Sequence, residues 1–127
     1  NYSDGVINGL YRSFYENGQV NVEAQYVDGV MQGLLKRYYF TGELLEEVSF
    51  KENQENGPFK EYYKNGNVKW EGNYINGDNE IGELKGYDEN GRLVKRMECG
   101  KYKGEYICQT VWTIEEGDKA LELQYED

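Results

Sequence analysis

A chain of 127 residues is one domain's worth of sequence, enough for a modest core and too short for two. Acids outnumber bases 24 to 14 with no histidine, and the net charge of −10 argues against a nucleic-acid groove and against an anionic membrane surface. Sixteen glycines, 15% aromatic residues and a single proline suit a β protein built from tight turns. No apolar run approaches the length of a membrane-crossing helix. The chain starts at Asn1 with neither a methionine nor an apolar leader, so the compartment stays open: cytoplasmic, or exported if a signal peptide has been removed.

In the first stretch, Asn17-Gly18 is a strong hairpin signal, because a type I′ turn needs positive φ at both central residues. A turn there makes residues whose numbers sum to 35 face each other: Tyr15 with Val20, Ser13 with Val22, Tyr11 with Ala24, Gly9 with Tyr26. On the other face the same rule sets Arg12 opposite Glu23. Turn chemistry alone thus pairs apolar with apolar and base with acid. The return strand alternates Val20, Val22, Ala24, Tyr26 inward against Gln19, Asn21, Glu23, Gln25 outward.

The pattern recurs every 24 residues. Gly9, Gly33 and Gly57 are in step, as are Tyr15, Tyr39 and Tyr63, Gly18, Gly42 and Gly66, and the closing aromatics Tyr26, Phe50 and Tyr74. Turns at Thr41-Gly42 and Asn65-Gly66 set Tyr39–Leu44, Leu35–Val48 and Lys36–Glu47, then Tyr63–Val68, Phe59–Gly72 and Lys60–Glu71. Glycine opposite a large aromatic recurs (Gly33–Phe50, Gly57–Tyr74), an arrangement in which a ring covers bare backbone. A fourth copy with one inserted residue turns at Asn90-Gly91, giving Asp88–Leu93, Leu84–Met97, Gly82–Cys99 and the like pair Lys85–Arg96. Four copies follow, at 4–27, 28–51, 52–75 and 76–100, joined by short loops at 27–32, 51–56 and 75–81. Such units cover one another and do not fold singly.

Residues 101–127 lose the period. They read as a degenerate cap within the same domain: Tyr106, Cys108 and Trp112 on one face, a turn at Glu116-Gly117-Asp118, and a last alternating strand from Ala120 to Tyr125. Free thiols are the default for Cys99 and Cys108. Only a two-residue turn at Lys103-Gly104 sets them opposite each other, where a bridge is geometrically conceivable.

The unit G-x-x-x-x-Y-Y-x-x-G, followed by a hydrophobic two residues on and an aromatic before the next Asn-Gly or Asp-Gly, resembles the bacterial variant of the MORN repeat. Gly57 to Gly66 and Trp70 to Gly77 carry the resemblance most fully, and it spans residues 4–104. Departures are Thr41 for Asn, Asp88 for the second Tyr and Cys99 for the closing aromatic. The resemblance implies an all-β fold: an elongated antiparallel meander of hairpins, open and curved into a trough, ending here in an atypical capping hairpin. Proteins similar to this are often labelled antitoxin components of toxin–antitoxin pairs, and elsewhere such repeats serve as scaffolding and membrane-junction modules. The motif residues are structural, so the resemblance transfers no catalytic position.

Three repeated rows share the face away from Tyr15, Tyr39 and Tyr63. They are aromatic (Phe14, Tyr38, Tyr62, Tyr87), basic (Arg12, Lys36, Lys60, Lys85) and acidic (Glu23, Glu47, Glu71). A ladder of aromatics flanked by charges suits an extended peptide or glycan; the plainer reading is good strand residues with cross-strand ion pairs. Glu46, Glu61 and Trp70 fall on the inner face, and a carboxylate beside an indole is the environment of a glycosidase acid, but it lacks a defined second partner and the chain has no histidine. The loop Asn76 to Gly82 alternates oxygen donors without the spacing of an EF-hand, and reads as solvated. Expected is a non-catalytic module without cofactor or metal, whose partner is another protein. The alternative is an envelope or surface protein that binds glycan or lipid head groups.

Overall fold

The computed structural model describes residues 2–3 and 5–126. Asn1, Asp4 and Asp127, which include the start of the first expected copy and the end of the tail, lie outside them. Strands β1 (Tyr2–Ser3) and β2 (Val6–Ile7) pair in a small sheet of their own. One antiparallel sheet holds β3 (Gly9–Phe14), β4 (Val20–Val27), β5 (Val30–Met31), β6 (Gly33–Tyr38), β7 (Leu44–Lys51), β8 (Gln54–Tyr62) and β9 (Val68–Ile75). It continues through β10 (Asn79–Tyr87), β11 (Leu93–Tyr102), β12 (Glu105–Thr113) and β13 (Gly117–Asp118). Strand order follows chain order from β3 to β13, with β5 beside β4 as a lead-in to β6, and the two ends do not pair. The fold is the all-β, open antiparallel meander of hairpins that the period implies.

The expected register holds through the body of each hairpin. Arg12 faces Glu23, Lys36 faces Glu47, Lys60 faces Glu71, and Lys85 faces Arg96. At the tips it does not. Phe14, Tyr38, Tyr62 and Tyr87, rather than Tyr15, Tyr39, Tyr63 and Asp88, stand opposite Val20, Leu44, Val68 and Leu93. The turns are not type I′. Gly18 N donates to Tyr15 O (3.0 Å) and Tyr15 N to Gln19 O (2.8 Å), and positive φ falls on Gly18 alone, at 90°. This is the three-residue loop closed by a left-handed glycine, which leaves a bulge and shifts the pairing by one. The I′-like turns sit instead in the connections, at Asp28-Gly29 (φ 51° and 82°), Glu52-Asn53 (50° and 68°) and Lys103-Gly104 (48° and 83°). The connecting loops are therefore shorter than expected, because the strands run on into them.

The role assigned to the paired glycines is also corrected. Gly33 and Gly57 take φ of 86° and 104°, and a Cβ built on either meets only Gln25 or Ser49 side-chain atoms within 4 Å. Left-handed backbone, not an overlying ring, requires glycine there. Rings do cover Gly72 and Gly86. A Cβ on Gly86 would lie 2.7 Å from the Trp70 ring, and one on Gly72 would lie 3.0 Å from Phe59 and 2.9 Å from Leu84.

The core lies on one face of β7 to β12. Val48, Phe59, Leu84 and Cys99 are buried, with Phe50, Trp70, Tyr74, Met97 and Cys108 packed against them. Phe59 and Tyr74 stack with centroids 4.2 Å apart. Because Lys103-Gly104 is a two-residue turn, Cys99 faces Cys108, and the two are disulfide-bonded rather than free.

The tail departs from the expected hairpin. Ala120 to Tyr125 is not a strand; only Gly117–Asp118 pairs with β12. The segment instead crosses β12 and β11. The Gln109 side chain accepts from Glu122 N (3.1 Å) and Leu123 N (2.9 Å) and donates to Leu123 O (3.0 Å). The Tyr125 ring lies against Gly100, its hydroxyl donates to Glu98 O (2.5 Å), and Glu126 N donates to Lys101 O (2.7 Å). Trp112 is not on the face of Cys108. A pairing irregularity between Arg96 and Met97 puts Trp112 opposite Arg96, on the outward face.

Candidate functional site

Each of the first three hairpins carries one base on its first strand and one acid on its second, the fourth carries a base on both, and the shared register lines them up across the sheet. The line runs Arg12, Glu23, Lys36, Glu47, Lys60, Glu71, Lys85, Arg96. Neighbours along it are one strand spacing apart, about 4.8 Å. Charge alternates until Lys85 and Arg96, which both turn to Glu83, at 3.3 and 3.1 Å.

Contacts along the line are uneven. Arg12 Nε holds Glu23 at 2.8 Å. Among the described residues no carboxylate comes within 4 Å of the Lys36 or Lys60 ammonium, because the facing acids are engaged elsewhere. The Tyr62 hydroxyl donates to Glu47 (2.5 Å) and the Tyr87 hydroxyl to Glu71 (2.5 Å). Partial burial, and then the hydrogen bond to a carboxylate, push both phenols up to about 12.

Alternation along each first strand keeps Phe14, Tyr38, Tyr62 and Tyr87 on this face, and the bulge brings Val20, Leu44, Val68 and Leu93 opposite them. Their exposure differs from the expected ladder: Phe14 is 58% exposed, whereas Tyr38, Tyr62 and Tyr87 are half-buried. Shallow depressions flank Lys60. One of about 210 Å³ is lined by Pro58, Lys60, Glu71, Asn73, Glu83 and Lys85, and one of about 170 Å³ by Leu34, Glu47, Ser49, Pro58 and Lys60.

The next residue of each tip, Tyr15, Tyr39 or Tyr63, does something the sequence did not disclose. Its hydroxyl reaches the following hairpin and donates to the carbonyl of Tyr38 (2.7 Å), Tyr62 (2.6 Å) or Tyr87 (2.7 Å). Asn17 and Asn65 make the same crossing to Phe40 O (2.9 Å) and Glu89 O (2.7 Å). The 24-residue recurrence of Tyr and Asn was the available signal. Asp88, in the tyrosine position of the last tip, folds back instead: the Arg92 backbone N–H, above all, holds its carboxyl below the usual range.

The other candidates stay apart as chemistry. Glu61 lies opposite both Glu46 and Trp70, with Lys69 at 3.9 Å, while Glu46 is ion-paired to Arg37 at 2.9 Å. Asn79 Nδ2 closes the 76–82 loop onto Asn76 O (3.0 Å). Among the described residues no group of three or more His, Cys, Asp or Glu side chains is placed to hold a metal.

Comparison with known families matches the model for the MORN repeat variant at residues 7–28, 31–52 and 55–76, just over half of the chain. Comparison with curated proteins finds no match. The three matched stretches fall on three successive hairpins of the sheet, in step with the tyrosine and glycine positions that stitch them, and the chain therefore belongs to the MORN repeat variant family.

Proposed function

We propose that this protein is a non-catalytic interaction module that presents the outward face to a protein partner, in the manner of an antitoxin component. Repeats of this family are modules for protein or membrane interaction. In this reading residues 1–104 are four repeats, residues 101–127 cap the stack within one domain, and the contact residues are Arg12, Lys36, Lys60 and Lys85 with Phe14, Tyr38, Tyr62 and Tyr87. The observation that carries it is the charge line. Lys36 and Lys60 stand in it two strand spacings apart, with no carboxylate within 4 Å of either ammonium among the described residues, and regular charges of that kind favour one register of an extended partner. The test is co-purification with the product of the adjacent gene. A complex lost in the Lys36→Glu/Lys60→Glu variant and kept in Tyr39→Phe/Tyr63→Phe is expected; equal loss, or none, removes the outward face from consideration.

A second reading, an envelope or surface protein that binds glycan or lipid head groups, is favoured by the Cys99–Cys108 bond, since such bonds persist in oxidising compartments. Thiol labelling of the denatured protein, taken from cells under acid quench, separates the readings. Two free thiols in the cell place the protein in a reducing compartment and remove the second.

A further inference from the structure

The disulfide joins two sulfurs in unequal surroundings. Cys99 is 4% exposed and belongs to the core with Val48, Phe59 and Leu84, whereas Cys108 is half-buried. The strand ladder shows why. β10 pairs with β11 only from Gly82 onward, and Gly82 faces Cys99. Its first residues, Asn79 to Ile81, pair with β9 instead. Where β10 and β11 part, a depression of about 130 Å³ is lined by Asp78, Asn79, Glu80, Tyr106, Ile107 and Cys108. One cysteine is closed into the sheet, and the other borders open space.

Charge at this opening is one-sided. Asp78 and Glu80 both line it. Burial, and then the Asp78 carboxylate, raise the Glu80 carboxyl above the usual range, so the two acids stand in each other's field. The base in register here is Lys101, opposite Tyr106, and its ammonium lies 5.7 Å over the centre of that ring.

We propose that Cys99–Cys108 is a thiol–disulfide exchange site, attacked at Cys108 and selective for thiols that carry a cation over thiols that carry a carboxylate. The incoming thiolate bonds to Cys108 Sγ and the bond to Cys99 Sγ breaks. Cys99 leaves with the electron pair and takes a proton from water. A second thiolate then attacks the sulfur of the bound thiol and releases Cys108, so that two thiols depart as one disulfide and the protein holds two thiols. Attack at Cys99 would expel the better solvated leaving group, but so enclosed a sulfur is out of reach, and access decides. Cys99 remains opposite Cys108 on the adjoining strand, so it closes the bridge again when the thiol is withdrawn. Asp78 and Glu80 repel an anionic thiol and attract an ammonium. The site lies on the core face, so it stands or falls separately from the outward-face reading.

The oxidised protein is exposed, without denaturant, to cysteamine or to 3-mercaptopropionate at equal thiolate concentration. Samples are quenched in acid, digested with pepsin and read by mass spectrometry. In the folded protein the mixed disulfide should sit on Cys108, whereas urea-unfolded protein should carry it on both sulfurs. With each rate divided by its value for the unfolded protein, cysteamine should react about tenfold faster than 3-mercaptopropionate. That ratio should fall toward one in Asp78→Asn/Glu80→Gln, its fold checked by circular dichroism. A mixed disulfide on Cys99, or on both sulfurs of the folded protein, overturns the proposal, and so does a lack of exchange without denaturant. A ratio near one in the unsubstituted protein, or one that survives Asp78→Asn/Glu80→Gln, overturns it as well.

Discussion

Two tyrosines stand side by side in the second and third tips, and they work in opposite directions. Tyr62 turns back to a carboxylate on its own face, while Tyr63 reaches forward to the next hairpin. The forward hydroxyls join repeats alongside the strand ladder, the asparagine crossings and the shared core, each by donating to a main-chain carbonyl of the next hairpin. Removing such a bond costs about 1 kcal/mol. Tyr39→Phe/Tyr63→Phe should therefore lower the unfolding free energy by about 2 kcal/mol in urea titrations. An unchanged midpoint would mean that these hydroxyls add nothing to the cohesion of the repeats. The backward-facing phenols predict a pH effect. Tyr62 and Tyr87, through burial and then their hydrogen bonds to Glu47 and Glu71, and Tyr74, through burial and then Glu80, are raised from 10 to about 12. A raised acid is held in its neutral form by the fold. Its contribution is complete below pH 10 and is lost as pH climbs from 10 to about 12. Far-ultraviolet dichroism in a fixed, sub-denaturing urea concentration should show unfolding in that window. Signal loss confined to pH below 9 would contradict the assignment.

At the scale of the hairpin, the last full unit differs from the other three in what closes it. Earlier hairpins hand a tyrosine and, in two cases, an asparagine to their successor. The β10–β11 hairpin has Asp88 turned inward at its tip and a disulfide to β12 at its other end. The bridge spans a separation of nine residues, and closing a loop of that size restricts the unfolded chain by about 2–3 kcal/mol. Reduction with the fold otherwise intact should lower unfolding stability by that amount. It should also raise amide exchange in β11 and β12 before β7 and β8. Equal stability in both redox states would show that the β11–β12 ladder needs no covalent support.

The main sheet buries one face, and among the described residues no large side chain is fully buried. Each strand's cover comes from its neighbours alone, so the two ends carry the cost of the architecture. At the far end the tail lies over Gly100 and is held by Gln109, Glu98 and Lys101. A variant ending at Asp118 loses that cover while keeping β13 and the disulfide. It should melt at a lower temperature and form concentration-dependent dimers visible by light scattering. A monomer with an unchanged melting curve would show that the tail caps nothing.

Alternation with period 2, repeated every 24 residues, was enough to determine the all-β meander, the pairing of Lys36 with Glu47 and Lys60 with Glu71, and the outward face of the charge line. A one-residue slip would carry every one of those side chains to the wrong face, so the pattern tolerates no other register. The loop type was not legible, because the left-handed glycine is demanded equally by a type I′ turn and by the three-residue loop that formed. The bulge that followed decided which residue of each tip stands opposite Val20, Leu44, Val68 or Leu93. Whether Cys99 meets Cys108 depended on that same ambiguity at Lys103-Gly104. The course of the tail was out of reach as well, since Gln109 and Gly100 become a seat for Tyr125 only when β11 and β12 lie side by side. Exposure was the last thing decided by the tertiary structure. Tyr11, Phe59 and Leu84 hold equivalent places in the period, yet one is open and two are buried, because cover comes from a neighbouring strand and among the described residues β3 pairs with β4 alone.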